Sequence, residues 1–181
     1  EQTDGKQMSI SSYRYSGDRT VLSYEEMNSY CNRAIKLNPN CKLTLILMQV
    51  NDMESYMKNE GSGFVQDLLQ SVQDTVRRHV GHRGIVCPLQ PNLMSVVVQD
   101  INSDIKLRAF IESLRSRIAW NYRLIDPKYE ISFSFGVACY PENGMDMRIV
   151  HRKLVKALQM AQEKHANCYV IYKEHLHGEL S

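Results

Sequence analysis

The residues with the strongest claim to chemistry lie in the stretch Gly84 to Gln99, where two apolar runs flank Gln90-Pro91-Asn92. Proline presets φ near the value required at the second position of a tight turn, and Asn suits the next. The second run holds Val96-Val97-Val98, a β-branched block that favours strand. The stretch therefore predicts a β-hairpin with its tip at Pro91-Asn92, central to a sheet. Hairpin tips between buried strands commonly present functional groups. This tip offers an amide, a proline and a second amide, which form hydrogen bonds but neither titrate nor carry charge.

Other candidates are weaker. His79-x-x-His82, with Cys87 nearby, has the look of a metal site, but no acid or second cysteine stands at suitable spacing. The pair is expected instead as helix-end histidines facing terminal carbonyls. His175-Leu176-His177 is a tail pair suited to adventitious metal. Ser132 and Ser134 have no His/Asp arrangement around them in the sequence, and are expected on the solvent-facing or helix-facing side of a strand. The five cysteines are dispersed, form no C-x-x-C pair and are expected as buried reduced thiols. Lys106, Arg108, Arg115 and Arg117 share one helix face, and Arg148, Arg152, Lys153 and Lys156 another. Such faces meet phosphate or are simply solvated. A net charge of +2 does not by itself imply a nucleic-acid or membrane partner.

Hydrophobic periodicity supplies the elements that position these groups. Residues 1–17 are polar and Ser-rich, expected as a linker or arm, with one domain over 18–175 and a tail at 176–181. Ser23-Tyr24-Glu25-Glu26 has the form of a capping box for a helix ended by Asn38-Pro39-Asn40. Cys41 to Val50 reads as a buried strand, Asn51 to Gly61 as a short helix, and Phe64 to Val80 as a longer one. After the hairpin, Ser103 caps a helix carrying Leu107, Phe110, Ile111, Leu114 and Ile118. Ile131 to Cys139 alternates as a strand does. A last helix around Ile149 to Ala161 and a strand at Cys168 to Tyr172 complete the order α, β, α, α, β, β, α, β, α, β. Helices returning between strands predict an α/β domain with a central mixed sheet. No apolar run approaches the roughly 20 residues that span a bilayer. The chain begins at Glu1 without an initiator methionine, which suggests a domain excised from a longer protein.

With this order, several local patterns resemble the GGDEF domain of bacterial diguanylate cyclases, a fold related to the palm of class III nucleotide cyclases. Ser132-Phe133-Ser134-Phe135-Gly136-Val137-Ala138 is similar to the family's S-x-G-V-A strand, with Tyr140-Pro141 following. Gly61 and Leu69 fall where the family has its G-H glycine and a motif-closing leucine. Ala157-Leu158, Ala161 and Asn167 match the pattern A-L-Y-x-A-K-x-x-G-x-N. The resemblance implies a mostly antiparallel five-stranded sheet flanked by helices, cytoplasmic location, and a homodimer or partner domains within a larger signalling protein.

The signature itself departs from the family. Aligned without a gap, G-G-D-E-F becomes Gln90-Pro91-Asn92-Leu93-Met94, and the metal-binding D-x-D becomes Gln49-Val50-Asn51. The F-K-x-x-N-D segment becomes Met53 to Lys58, and the nucleotide-recognition G-D becomes Val65-Gln66. The distal tyrosine and lysine become Gln159 and Gln162. The product-inhibition R-x-x-D falls at Gly81-His82-Arg83-Gly84. Magnesium is hard and is usually anchored by carboxylates, and phosphoryl transfer relies on it to offset charge. Asp52 follows Asn51, but a strand neighbour points to the other face. The expectation is a domain with no cofactor, no bound metal and no cyclase activity, used for regulation or protein contact. An alternative is a sensor that binds a nucleotide or cyclic dinucleotide through Gln49, Asn51, Gln66 and Asn92 without turnover.

Overall fold

The computed structural model describes residues 24–101, 103–125, 131–164 and 168–178. The arm at 1–17, the Ser23 cap and Asn167 lie outside them. In order the elements are α1 (Tyr24–Leu37), β1 (Leu43–Val50), α2 (Met53–Glu60) and α3 (Ser62–Val80). A 3-10 turn (Gly81–Arg83) then leads to β2 (Gly84–Gln90), β3 (Leu93–Gln99) and α4 (Asp104–Ile125). The chain continues through β4 (Phe133–Tyr140), α5 (Met147–Glu163), β5 (Cys168–Ile171) and α6 (Glu174–His177). The sequence of element types is the expected one. The single turn α6 spans the expected domain boundary after residue 175.

The five strands form one mixed sheet in the order β2-β3-β1-β4-β5. Pairing is antiparallel except between β4 and β5. β1 is the central strand, with Leu43 opposite Gln99 on one side and Tyr140 on the other. It is apolar on both faces because both are covered by helices. The hairpin forms as expected, with its tip at Pro91-Asn92, but it is not central. β2 is an edge strand. Pro88 explains this, because a residue without an N–H belongs on an edge or at a bulge, and the register shifts between Pro88 and Gln90.

Strand alternation divides the core into two layers. On one face, Ile46, Met48, Val50, Val96, Phe133 and Phe135 pack against α3 and α4. On the other, Leu43, Leu45, Leu47, Val97, Ala138 and Tyr140 pack against α1 and α5. Gln99 Nε2 donates to the Tyr30 hydroxyl at 2.8 Å, tying α1 to β3. α5 sits unusually close to β4. A Cβ on Gly136 would lie 2.3 Å from the Leu158 backbone nitrogen, so only glycine permits this contact. At the far end of the sheet Lys173 pairs with Asp104 at 3.0 Å and with Glu142 at 3.5 Å, joining α4, the β4–α5 loop and the exit of β5.

No described helix is long and apolar enough to cross a membrane. All five cysteines are free thiols. Burial pushes the Cys31 thiol up to about 12 and the Cys139 thiol up to about 11, which keeps both protonated at neutral pH.

Candidate functional site

The hairpin tip, the end of β1 and the start of β4 meet at one end of the sheet, on the face that α5 covers. Gln49 lies opposite Leu93 on β3 and Ser134 on β4. Beyond β1, the Asn51 backbone N–H donates to the Ser132 carbonyl at 2.9 Å. The Asn51 side-chain amide donates to the Ser132 hydroxyl at 2.9 Å and to the Ser134 hydroxyl at 3.2 Å. Ser132 and Ser134 are both buried, so they occupy the helix-facing side of the strand. Asn92, at the tip, donates its side-chain amide to the Val50 carbonyl at 3.1 Å, while the Asn92 carbonyl accepts from the Val50 N–H at 2.9 Å. Gln49 accepts a hydrogen bond from Gln162 on α5.

Gln49, Asn51 and Asn92 thus lie at one end of the sheet, and each is hydrogen-bonded to a neighbouring part of the fold. Leu93 is buried beside them, as is Met94 on the opposite face. Gln66 is exposed in the first turns of α3, and no described hydrogen bond connects it to the cleft. The Gln49–Gln162 and Asn51–Ser132 pairings were not foreseen, since their partners lie on separate elements.

Asp52 does not continue the strand. It takes a left-handed backbone (φ 65°) just before α2 and its side chain is exposed. Asp is one of the few non-glycine residues that tolerate this conformation. Gly61 (φ 94°) makes the second sharp turn, where α2 gives way to α3.

The donor set decides what the cleft can hold. Gln49, Asn51 and Asn92 are neutral amides, Ser132 and Ser134 are neutral hydroxyls, and Leu93 is an alkyl group. Among the described residues, no three His, Cys, Asp or Glu side chains converge. A hard divalent cation takes carboxylate oxygens and gives up its hydration reluctantly. The residues present do not fit such an ion.

The histidines also find structural partners. His79 is buried on α3, its ring 4.6 Å from that of Phe110, with Nε2 3.2 Å from the Phe110 carbonyl on α4. Burial lowers its pKa, the bond to Phe110 opposes that shift, and Arg117 and Arg83 add to it. His177 Nδ1 accepts from the Lys173 N–H at 2.9 Å, closing the α6 turn.

Comparison with known proteins places this architecture. The family model described as "Diguanylate cyclase, GGDEF domain" matches residues 19–168. The chain belongs to the GGDEF family. Solved GGDEF domains share its fold. The active GGEEF domain of a diguanylate cyclase from Vibrio cholerae superposes with a TM-score of 0.70 at 15% identity, covering 82% of this chain and 93% of that one. The GGDEF domain of DgcB from Caulobacter crescentus, solved in complex with c-di-GMP, gives 0.71 at 12% identity over 87% and 98%. The FimX GGDEF domain from Pseudomonas aeruginosa gives 0.68 at 13% identity over 88% and 100%. An uncharacterized protein of Synechocystis sp. is 18% identical over 142 residues, and this GGDEF domain spans 20% of that protein's length.

Proposed function

We propose that this GGDEF domain makes no cyclic dinucleotide and serves as a regulatory or protein-contact module of a larger bacterial signalling protein, in its cytoplasmic part. The observation that supports this reading is that each of the three cleft amides is already engaged by a neighbouring hydroxyl, backbone carbonyl or amide of the fold. Asn51 engages Ser132 and Ser134, Asn92 engages the Val50 backbone, and Gln49 engages Gln162. Joining two nucleoside triphosphates concentrates negative charge on phosphate and on the attacking oxygen. Nothing anionic in this cleft would retain the cations that offset that charge. Each missing electrostatic stabiliser in such a site costs about 3 kcal/mol, and about 1.4 kcal/mol is tenfold in rate.

Pro91 points the same way. Where the family uses two glycines for close backbone approach to a nucleotide, this tip has Gln90 and Pro91, and proline both stiffens the turn and removes an N–H. A homodimer, or contact with adjoining domains of the same chain, is the arrangement in which such a module would act.

The decisive experiment incubates the protein with GTP and either Mg²⁺ or Mn²⁺ and looks for cyclic dinucleotide by chromatography. The reading expects none above a boiled control. Product above that control, growing with enzyme concentration, would overturn it.

A further inference from the structure

A second concave site lies away from the cleft, between α3 and α4. It is an open groove of about 490 Å³, lined chiefly by Thr75, Arg78, Ser113, Arg117, Trp120 and Asn121. Its charge is unbalanced. These two helices carry four arginines that matter here, and two are neutralised along their own helix: Arg77 pairs with Asp74 at 3.6 Å, and Arg115 with Glu112 at 3.2 Å. The two that line the cavity, Arg78 and Arg117, have no acidic partner among the described residues. Among the described residues, Arg78 donates to the Thr75 hydroxyl at 3.4 Å, and no acid lines the cavity.

The floor and one wall are organised. Thr75 is buried, donates its hydroxyl to the Ser71 carbonyl at 2.9 Å, and accepts from the Asn121 amide at 3.0 Å. Trp120 stands at the rim with 62% of its surface exposed. An exposed indole beside guanidiniums without an acidic partner offers a ligand both a flat apolar face and positive charge. Guanidinium forks match phosphate oxygens in geometry and charge. An exposed indole offers a flat face on which a nucleobase stacks.

We propose that this cavity is a binding site for a nucleoside phosphate, with Arg78 and Arg117 holding the phosphate and Trp120 stacking the base. Ser113 and Asn121 supply further hydrogen bonds at the phosphate or sugar. The volume suits a mononucleotide, since small-ligand sites begin at about 300 Å³. The site shares no residue with the cleft, so it stands whether or not the cyclase chemistry has lapsed. It also excludes Gly81 to Gly84, where the family's product-inhibition motif falls. Its concavity and unpaired cations favour a small anion over a protein surface.

Trp120 is the chain's only tryptophan, so its emission reports on this site alone. The full chain is titrated with AMP and, separately, with GMP, inorganic phosphate and adenosine. The proposal expects saturable quenching by either nucleotide below about 10 mM. Inorganic phosphate should compete with weaker affinity, and adenosine should act far more weakly than AMP. R78Q and R117Q should each weaken AMP about tenfold. Both side chains are exposed, so far-UV circular dichroism should match the wild type. W120L, followed by calorimetry, should still bind AMP but lose its preference for AMP over ribose 5-phosphate. Wild-type affinity should fall as salt rises. The proposal is overturned by emission unmoved by nucleotide, by quenching that survives in the R78Q/R117Q double variant, or by adenosine binding as well as AMP. Emission that changes with protein concentration and not with nucleotide would assign the surface to protein contact, and overturn it too.

Discussion

The hairpin end of the sheet and the outer groove between α3 and α4 are both polar, yet their polar groups are in opposite states. At the hairpin end, neutral amides and hydroxyls from β1, β4, the tip and α5 have found partners among themselves. In the groove, Arg78 and Arg117 extend from two packed helices toward solvent with no acidic partner among the described residues, beside an exposed indole. The first arrangement ties strands, tip and helix to one another. The second adds little to folding and leaves strong donors available. Family position drew attention to the first region; physical chemistry points to the second as the more receptive.

The comparison can be tested first through the element that closes the cleft. Gly136→Ala should destabilise the protein by roughly 3 kcal/mol or more, because the new Cβ meets the backbone of Leu158 and Ala157 and not a movable side chain. Urea denaturation measures this. A near-neutral result would mean that α5 is not seated as tightly as described, and that the Gln49–Gln162 contact is loose.

Acid should also act on the α5 side. Burial holds the pKa of His151 down at about 4, from its ordinary 6.5. The unfolded chain takes up this proton near 6.5 while the folded protein refuses it until about 4. Stability from this group is therefore complete above pH 6.5 and is lost as pH falls toward 4, by about 3 kcal/mol in all. Urea midpoints at a series of pH values should show the loss, and His151→Gln should flatten the profile over that window.

A smaller effect is expected from Asn51→Ala. It removes the partner of two buried serine hydroxyls, at a cost of about 1–2 kcal/mol. Adding Ser134→Ala should cost less than the sum of the two single changes, because the hydroxyl left unpaired by the first is removed by the second. Full additivity in a denaturation series would deny that these residues form one network.

The smallest change tests the groove. Arg117 and Arg83 both help to lower the pKa of His79. Arg117→Gln should therefore move the His79 titration upward, as followed by NMR of the imidazole. A titration that does not move would mean that the groove's cationic field does not reach inward.

Much of the fold was legible because periodicity is a local property. The alternation from Ile131 to Cys139, the valine block after Pro91-Asn92 and the apolar stripe from Leu107 to Ile118 each map onto one element. The edge position of β2 was legible in principle from Pro88, but the hairpin was expected at the centre of the sheet. The cleft was only half legible. That Gln49, Asn51 and Asn92 would share one end of the sheet followed from family resemblance. That Asn51 would bond to Ser132 and Ser134 did not, because 81 and 83 residues separate them. The groove was least visible. Arg117 appeared only as part of a basic helix face, while Arg78 and Trp120 drew no notice, since their meeting depends on how two helices cross.

α2 has a consequence of its own. It contains no buried residue and is bounded by two sharp backbone reversals, at Asp52 and Gly61. Its amide hydrogens should exchange with deuterium long before those of β1, which is bonded on both sides and covered above and below. Among the described residues, only Met53 and Tyr56 hold this helix to the core, the Tyr56 ring lying 5.9 Å from that of Phe64. A lightly anchored helix therefore follows directly on the most protected strand of the domain.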